Sequence, residues 1–124
     1  MKEDKQMTSN KNLFDAFKNA FSGIAYAIKT QANIKIQLAM VVIVMVAGAI
    51  LKFSAIEFVF LTFACGLVLV TEMLNTSIEA TVNLVTDKFH PIAKIAKDVG
   101  AGAVLIASLN ALVVGLILFI GKII

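Results

Sequence analysis

The sequence predicts an all-α membrane protein, with one N-terminal amphipathic surface helix followed by three transmembrane helices. Three observations carry this prediction. Hydrophobic residues fill 60% of the 124 positions and charged residues only 15%, a mixture too apolar for an ordinary soluble domain. Three long apolar runs divide the chain, and most of the charge lies outside them. The eleven basic residues are all lysines, spread unevenly between the segments that join those runs. The net charge of +3 comes with no long basic run and no aromatic-basic interleaving, so it reads as membrane topology and not as a nucleic-acid surface.

The elements follow in order. Residues 1–11 form a polar, charged tail, and 12–124 read as a single domain. Over 12–30, Leu13, Phe14, Phe17, Phe21, Ile24 and Ile28 recur at helical spacing, while Asp15, Lys18, Asn19 and Ser22 fall on the other side. That pattern fits a helix lying in the membrane interface. A first span is expected at about 34–52, with the stem of Lys35 reaching back to the surface. A short turn at Phe53-Ser54-Ala55 leads to a second helix at about 56–85. Thirty residues make roughly 45 Å of helix, longer than the ~30 Å hydrocarbon layer, so its end should emerge into headgroups or water. After a hydrophilic connection, Pro91 suits the first turn of a third helix, with a span at about 92–121. Gly100, Ala101, Gly102 and Ala103 leave room for close helix contact. No cleavable signal peptide is expected. Cys65, alone in an apolar run, reads as a packing residue, and His90 as a solvated loop residue.

Lysines set the orientation. Lys2, Lys5, Lys11, Lys18, Lys29 and Lys35 precede the first span, and Lys88, Lys94 and Lys97 lie between the second and third. Only Lys52 and Lys122 fall on the opposite side. The positive-inside rule then puts the N-terminus and the second connection in the cytoplasm.

The second apolar helix ends in a polar stripe. Glu72, Asn75, Glu79 and Asn83 follow one another at three- or four-residue spacing, so they share one helix face. Carboxylates at membrane depth are costly and mark functional sites. Glu72 and Glu79 are two turns apart, ~10 Å along the axis, too far to bind one metal ion together. The spacing allows two roles at two depths: Glu79 as a magnesium ligand completed by phosphate oxygens, and Glu72 as a base for a substrate arriving from the lipid, with Asn75 hydrogen-bonded to it. In I-A-K-I-A-K-D, Lys97 can neutralise phosphate, and Asp98 can hold Lys97 or contact a hydroxyl. The same residues also suit membrane anchoring by Lys94 and Lys97, and an ordinary i,i+4 pair between Lys94 and Asp98. The familiar nucleotide loops and the Ser-His-Asp and Cys-His arrangements are missing from the sequence.

Two segments, E-M-L-N-T-S-I-E-A-T-V at Glu72 to Val82 and H-P-I-A-K-I-A-K-D-V-G-A-G-A-V at His90 to Val104, resemble the bacterial diacylglycerol kinase/undecaprenol kinase family, and its Gram-positive branch in particular. The likeness extends over 12–124. It implies a multi-pass protein of the bacterial plasma membrane that phosphorylates a lipid alcohol with ATP and Mg²⁺. Undecaprenol is the first expectation and diacylglycerol the second, with a non-catalytic lipid-binding trimer as the other alternative. It implies a homotrimer whose active sites are shared between neighbouring subunits. By motif position Glu72 is the general base, Asn75 its neighbour and Glu79 the metal ligand, while Lys97 and Asp98 contact nucleotide and substrate. Asn19 lies where nucleotide contacts are expected. Two positions depart from the family: Gln31 stands where a second metal-binding glutamate is usual, and Asn83 where the motif closes with an aspartate. Both remove negative charge beside the expected MgATP, which predicts a lowered affinity for Mg²⁺.

Overall fold

The computed structural model describes residues 12–124, so the tail at 1–11 lies outside the described residues. Four helices follow one another: α1 (Leu13–Thr30), α2 (Ala32–Ile50), α3 (Ala55–Val85) and α4 (Pro91–Ile123). No strand occurs among the described residues. The last three helices are long and apolar enough to cross a membrane, in line with the expected fold class.

Helix α1 starts at Asn12, whose side-chain oxygen accepts the Asp15 backbone N–H at 2.9 Å. Asp15 in its first turn and Lys29 in its last both complement the helix dipole. Its aromatic face is bare: Phe14 is 74% and Phe21 67% exposed. A face of that kind suits the headgroup boundary. One extended residue, Gln31, separates α1 from α2. Ala27 and Ile34, on either side of this corner, are both buried.

The α2–α3 turn lies one step earlier than the sequence pattern placed it. Lys52 adopts φ 59°, the left-handed conformation usually left to glycine. The Phe53 N–H reaches the Gly48 carbonyl and the Lys52 N–H the Ala49 carbonyl, the pair of bonds that closes a Schellman C-cap. Gly48 gives the Phe53 ring its space, since a Cβ there would lie 3.1 Å from it and press the ring aside. Ser54 then opens α3 in a reciprocal capping box with Glu57.

Helix α3 has 31 residues, about 46 Å, so it outruns the hydrocarbon layer as expected. Thr86 ends it in an extended conformation. His90, expected to be merely solvated, is exposed and caps α4: its Nδ1 accepts the Ile92 N–H at 3.1 Å, and Pro91 takes the first helical turn. Helices α3 and α4 run antiparallel and pack along their length, from Asn83 beside Lys97 to Glu57 beside Lys122. Of the four small residues at the start of α4, only Gly100 is buried against α3, while Gly102 meets nothing within 4 Å. Successive helical residues turn by about 100°, so one residue of that run faces the neighbour and the others turn away.

Candidate functional site

The polar stripe of α3 passes from the packed interior to water. Glu72 is 3%, Asn75 8% and Thr76 8% exposed; Glu79 is half-buried and Asn83 exposed. Thr76 spends its hydroxyl on the Glu72 backbone carbonyl, at 2.9 Å. That leaves the Glu72 carboxylate to be met from another helix. Gln37 of α2 meets it, its Nε2 donating to Oε2 at 3.4 Å. Gln37 was passed over in the sequence because its run carries no charge. The available signal was an amide inside an otherwise apolar stretch, where every polar group needs a partner.

One pairing differs from expectation, and one settles a choice the sequence left open. Asn75 does not bond Glu72: its Nδ2 donates to Glu79 Oε1 at 3.2 Å. Side chains on a helix lean toward its N-terminus, so Glu79 leans back over Asn75 while Glu72 leans away from it. Asp98 pairs with Lys94 at 2.5 Å, the i,i+4 alternative that the spacing offered, and not with Lys97. Residues four apart share a face, whereas adjacent residues diverge. Lys97 instead crosses to α3, donating from Nζ to Asn83 Oδ1 at 2.8 Å.

Three features remain open. Asn75 Oδ1 and Gln37 Oε1 are buried without a hydrogen-bond partner, a costly state for polar atoms. Asn75 Oδ1 fits only because position 100 is glycine, where a Cβ would lie 2.5 Å away. Beside Lys97 and Asn83, a cavity of about 380 Å³ is walled by the connection, including Thr86, Lys88 and His90. Toward the membrane, an apolar groove of about 470 Å³ runs between α2, α3 and α4, and Gln37 lines it together with Met40, Leu61 and Leu112. Gln37 therefore joins the groove to Glu72.

Gln31 sits at the α1–α2 corner, half-buried, with its side chain making no capping bond, and Asn19 is exposed on α1. No hydrogen bond joins Gln31 to Glu79 within the described residues. No group of three His, Cys, Asp or Glu side chains stands ready to hold a metal among the described residues. A hard cation completed by phosphate oxygens needs only one or two carboxylates, and half-buried Glu79 suits that arrangement.

The family described as prokaryotic diacylglycerol kinase matches residues 18–119. The undecaprenol kinase of Bacillus subtilis (strain 168) is 38% identical over 109 residues, covering 88% of this chain and 89% of that protein. A diacylglycerol kinase of Synechocystis sp. is 42% identical over 105 residues, 84% of this chain and 60% of that longer protein. The diacylglycerol kinase of Escherichia coli (strain K12) is 32% identical over 99 residues, 80% of this chain and 81% of that one.

Proposed function

The chain belongs to the prokaryotic diacylglycerol kinase family and is a lipid kinase of the membrane, and we propose that it transfers the γ-phosphoryl group of ATP to the hydroxyl of undecaprenol. One observation carries this reading. A nearly fully buried carboxylate, Glu72, is held by Gln37 at the edge of an apolar groove, two helical turns deeper than the half-buried Glu79. Diacylglycerol is the second reading, supported by the 42% identity to the Synechocystis enzyme.

In this reading the lipid chain lies in the groove and its hydroxyl meets Glu72. The hydroxyl oxygen forms a bond to the γ-phosphorus, the bond from that phosphorus to the β–γ bridging oxygen breaks, and ADP leaves. The hydroxyl proton passes to the Glu72 carboxylate. Gln37 orients that carboxylate, and Asn75 orients Glu79. Lys97, released from Asn83, neutralises phosphate charge, with Asp98 and Asn19 as further nucleotide contacts. Glu79, with the Gln31 amide oxygen as a weaker second donor, would hold Mg²⁺, which supplies charge neutralisation on the phosphates. Such transfer depends on positioning and electrostatics more than on covalent help.

The lysine distribution supports a cytoplasmic N-terminus in the bacterial plasma membrane, and the family resemblance supports a homotrimer with shared sites. The test is transfer of labelled phosphate from ATP to undecaprenol or diacylglycerol in mixed micelles. Glu72→Gln should lower kcat by about 10²–10⁴-fold, the range for loss of a general base. Gln37→Leu should lower it by about ten-fold through misorientation. Full activity in Glu72→Gln would sink the assignment, and transfer only to diacylglycerol would move it to the second reading.

A further inference from the structure

Two side-chain oxygens line the apolar groove beside Glu72, one from Gln37 and one from Ser108. Gln37 directs an N–H to Glu72 and keeps a buried oxygen with no partner, so it presents an acceptor. Ser108 of α4 takes no part in the proposed chemistry. It is half-buried, and its hydroxyl makes no hydrogen bond among the described residues. Other helical hydroxyls of this chain behave differently. Thr30, Thr71, Thr76 and Thr81 each donate to the carbonyl four residues earlier, at 2.7–2.9 Å. That fold-back satisfies a hydroxyl within a helix. Ser108 keeps a free donor, in surroundings where an unpaired polar group is costly.

The antiparallel packing of α3 and α4 sets its level. Gly100 lies against Asn75 and Lys122 against Glu57, so position 108, about a third of the way between, falls level with Val68. Val68 and Ser108 accordingly line the same groove. Val68 stands one turn before Glu72, and side chains lean toward the N-terminus of their helix. The Glu72 carboxylate therefore reaches from α3 toward the level of Ser108, while Gln37 meets it from α2. Three helices thus give the groove one polar end, and the rest of it runs on as an apolar slot to Phe119.

We propose that Ser108 holds the oxygen of the substrate hydroxyl, and that it thereby favours a lipid whose hydroxyl is its sole polar group, a polyprenol, over one that carries esters. The proposal rests on the phosphoryl-transfer reading. A hydroxyl oxygen carries one proton and two lone pairs. Its proton goes to Glu72, one lone pair forms the bond to the γ-phosphorus as ADP leaves, and the second lone pair accepts from Ser108. Ser108 keeps its own proton throughout. A donor at that oxygen fixes its direction of attack and meets the charge that develops as the proton leaves. An ester lipid disturbs this arrangement. Its carbonyl oxygens lie a few bonds from the hydroxyl, and each competes for the same donor. A carbonyl held by Ser108 leaves the hydroxyl without that bond. The Cys65 thiol, which also lines the groove, is a weak donor.

The test uses the full-length chain in mixed micelles and two readouts. Labelled phosphate from ATP reports transfer, and labelling of Cys65 by a membrane-soluble maleimide reports occupancy of the groove. Ser108→Ala should lower kcat/KM for undecaprenol by about 3- to 12-fold, the contribution of one hydrogen bond, and that for diacylglycerol by less than about two-fold. Its melting temperature should hold or rise, because an unpaired hydroxyl leaves an apolar wall. In the transfer assay Ser108→Cys, similar in size and a weaker donor, should fall between wild type and Ser108→Ala on undecaprenol. Undecaprenol should protect Cys65 in the wild type, and Ser108→Ala should need several-fold more of it for the same protection. Unchanged transfer to undecaprenol in Ser108→Ala, or an equal loss with both lipids, overturns the proposal. So does Cys65 labelling that is indifferent to undecaprenol. A wild type that transfers phosphate to no lipid, with protection that still depends on Ser108, would sink the kinase reading and leave this contact standing.

Discussion

The two ends of the α3–α4 pair are built on opposite terms. At the end near the α2–α3 turn, polar groups are matched: Ser54 and Glu57 cap each other, and Glu57 also meets Lys122 at 3.0 Å. Phe53 packs on Phe58 and Phe119 with ring centres 5.7 and 4.9 Å apart. At the other end, Asn75 keeps a buried oxygen with no partner, and its companion Gln37 on α2 does the same. Lys97 there is held by a neutral amide, not a carboxylate. The first end has the chemistry of a clamp. The second has the chemistry of a site, since unsatisfied buried polar atoms are tolerated where a ligand completes them.

The strongest way to break this contrast is to fill the space at position 100. Gly100→Ala puts a methyl group 2.5 Å from Asn75 Oδ1, so the amide must shift, which strains its bond to Glu79. Overpacking of this kind costs about 1–3 kcal/mol. We expect phosphoryl transfer to fall by more than about ten-fold, with a lowered melting temperature. Gly102→Ala, which meets open space within 4 Å, should leave transfer unchanged and hold or raise the melting temperature, since alanine favours a helix interior over glycine. Equal effects from the two substitutions would mean that the Asn75 contact shapes nothing.

A gentler way is to return charge to the open end. The proposed Mg²⁺ site has Gln31 where relatives of this type are expected to carry glutamate. Gln31→Glu should lower the Mg²⁺ concentration for half-maximal transfer by several-fold, and titration of activity against Mg²⁺ reads it directly. An unchanged midpoint would remove Gln31 from the metal site.

The helices were legible in the sequence because hydropathy and length specify them almost alone in a membrane. The polar stripe was legible because its spacing fits one helix face, and burial of Glu72 and Asn75 with half-burial of Glu79 agrees with that. Partner choice was not. Asn75 lies within one turn of both Glu72 and Glu79, and only the lean of side chains toward the helix N-terminus decides between them. For Asp98 the sequence offered both Lys97 and the i,i+4 partner Lys94, and the structure takes Lys94. The amide of Gln37 in an apolar run signals that it needs a partner, but which partner is not legible, because Glu72 lies 35 residues away. Lys52 was not legible for a different reason: a left-handed residue is signalled by glycine, and lysine carries no such signal.

The smallest effect is expected at the clamp. Glu57→Gln keeps an oxygen that can accept the Ser54 N–H, so the capping box survives and only the charge facing Lys122 is lost. Both side chains are partly exposed, at 22% and 32%, and ion pairs of that kind contribute little. A fall in melting temperature of about 1–2 °C is expected, with kcat and KM unchanged. Because the pair stands at the far end of α3 from Glu72, a loss of transfer without a loss of stability would mean that the clamp sets the register of α3 against α4. The two ends would then form one mechanical unit, and the contrast between them would fail as an account of function.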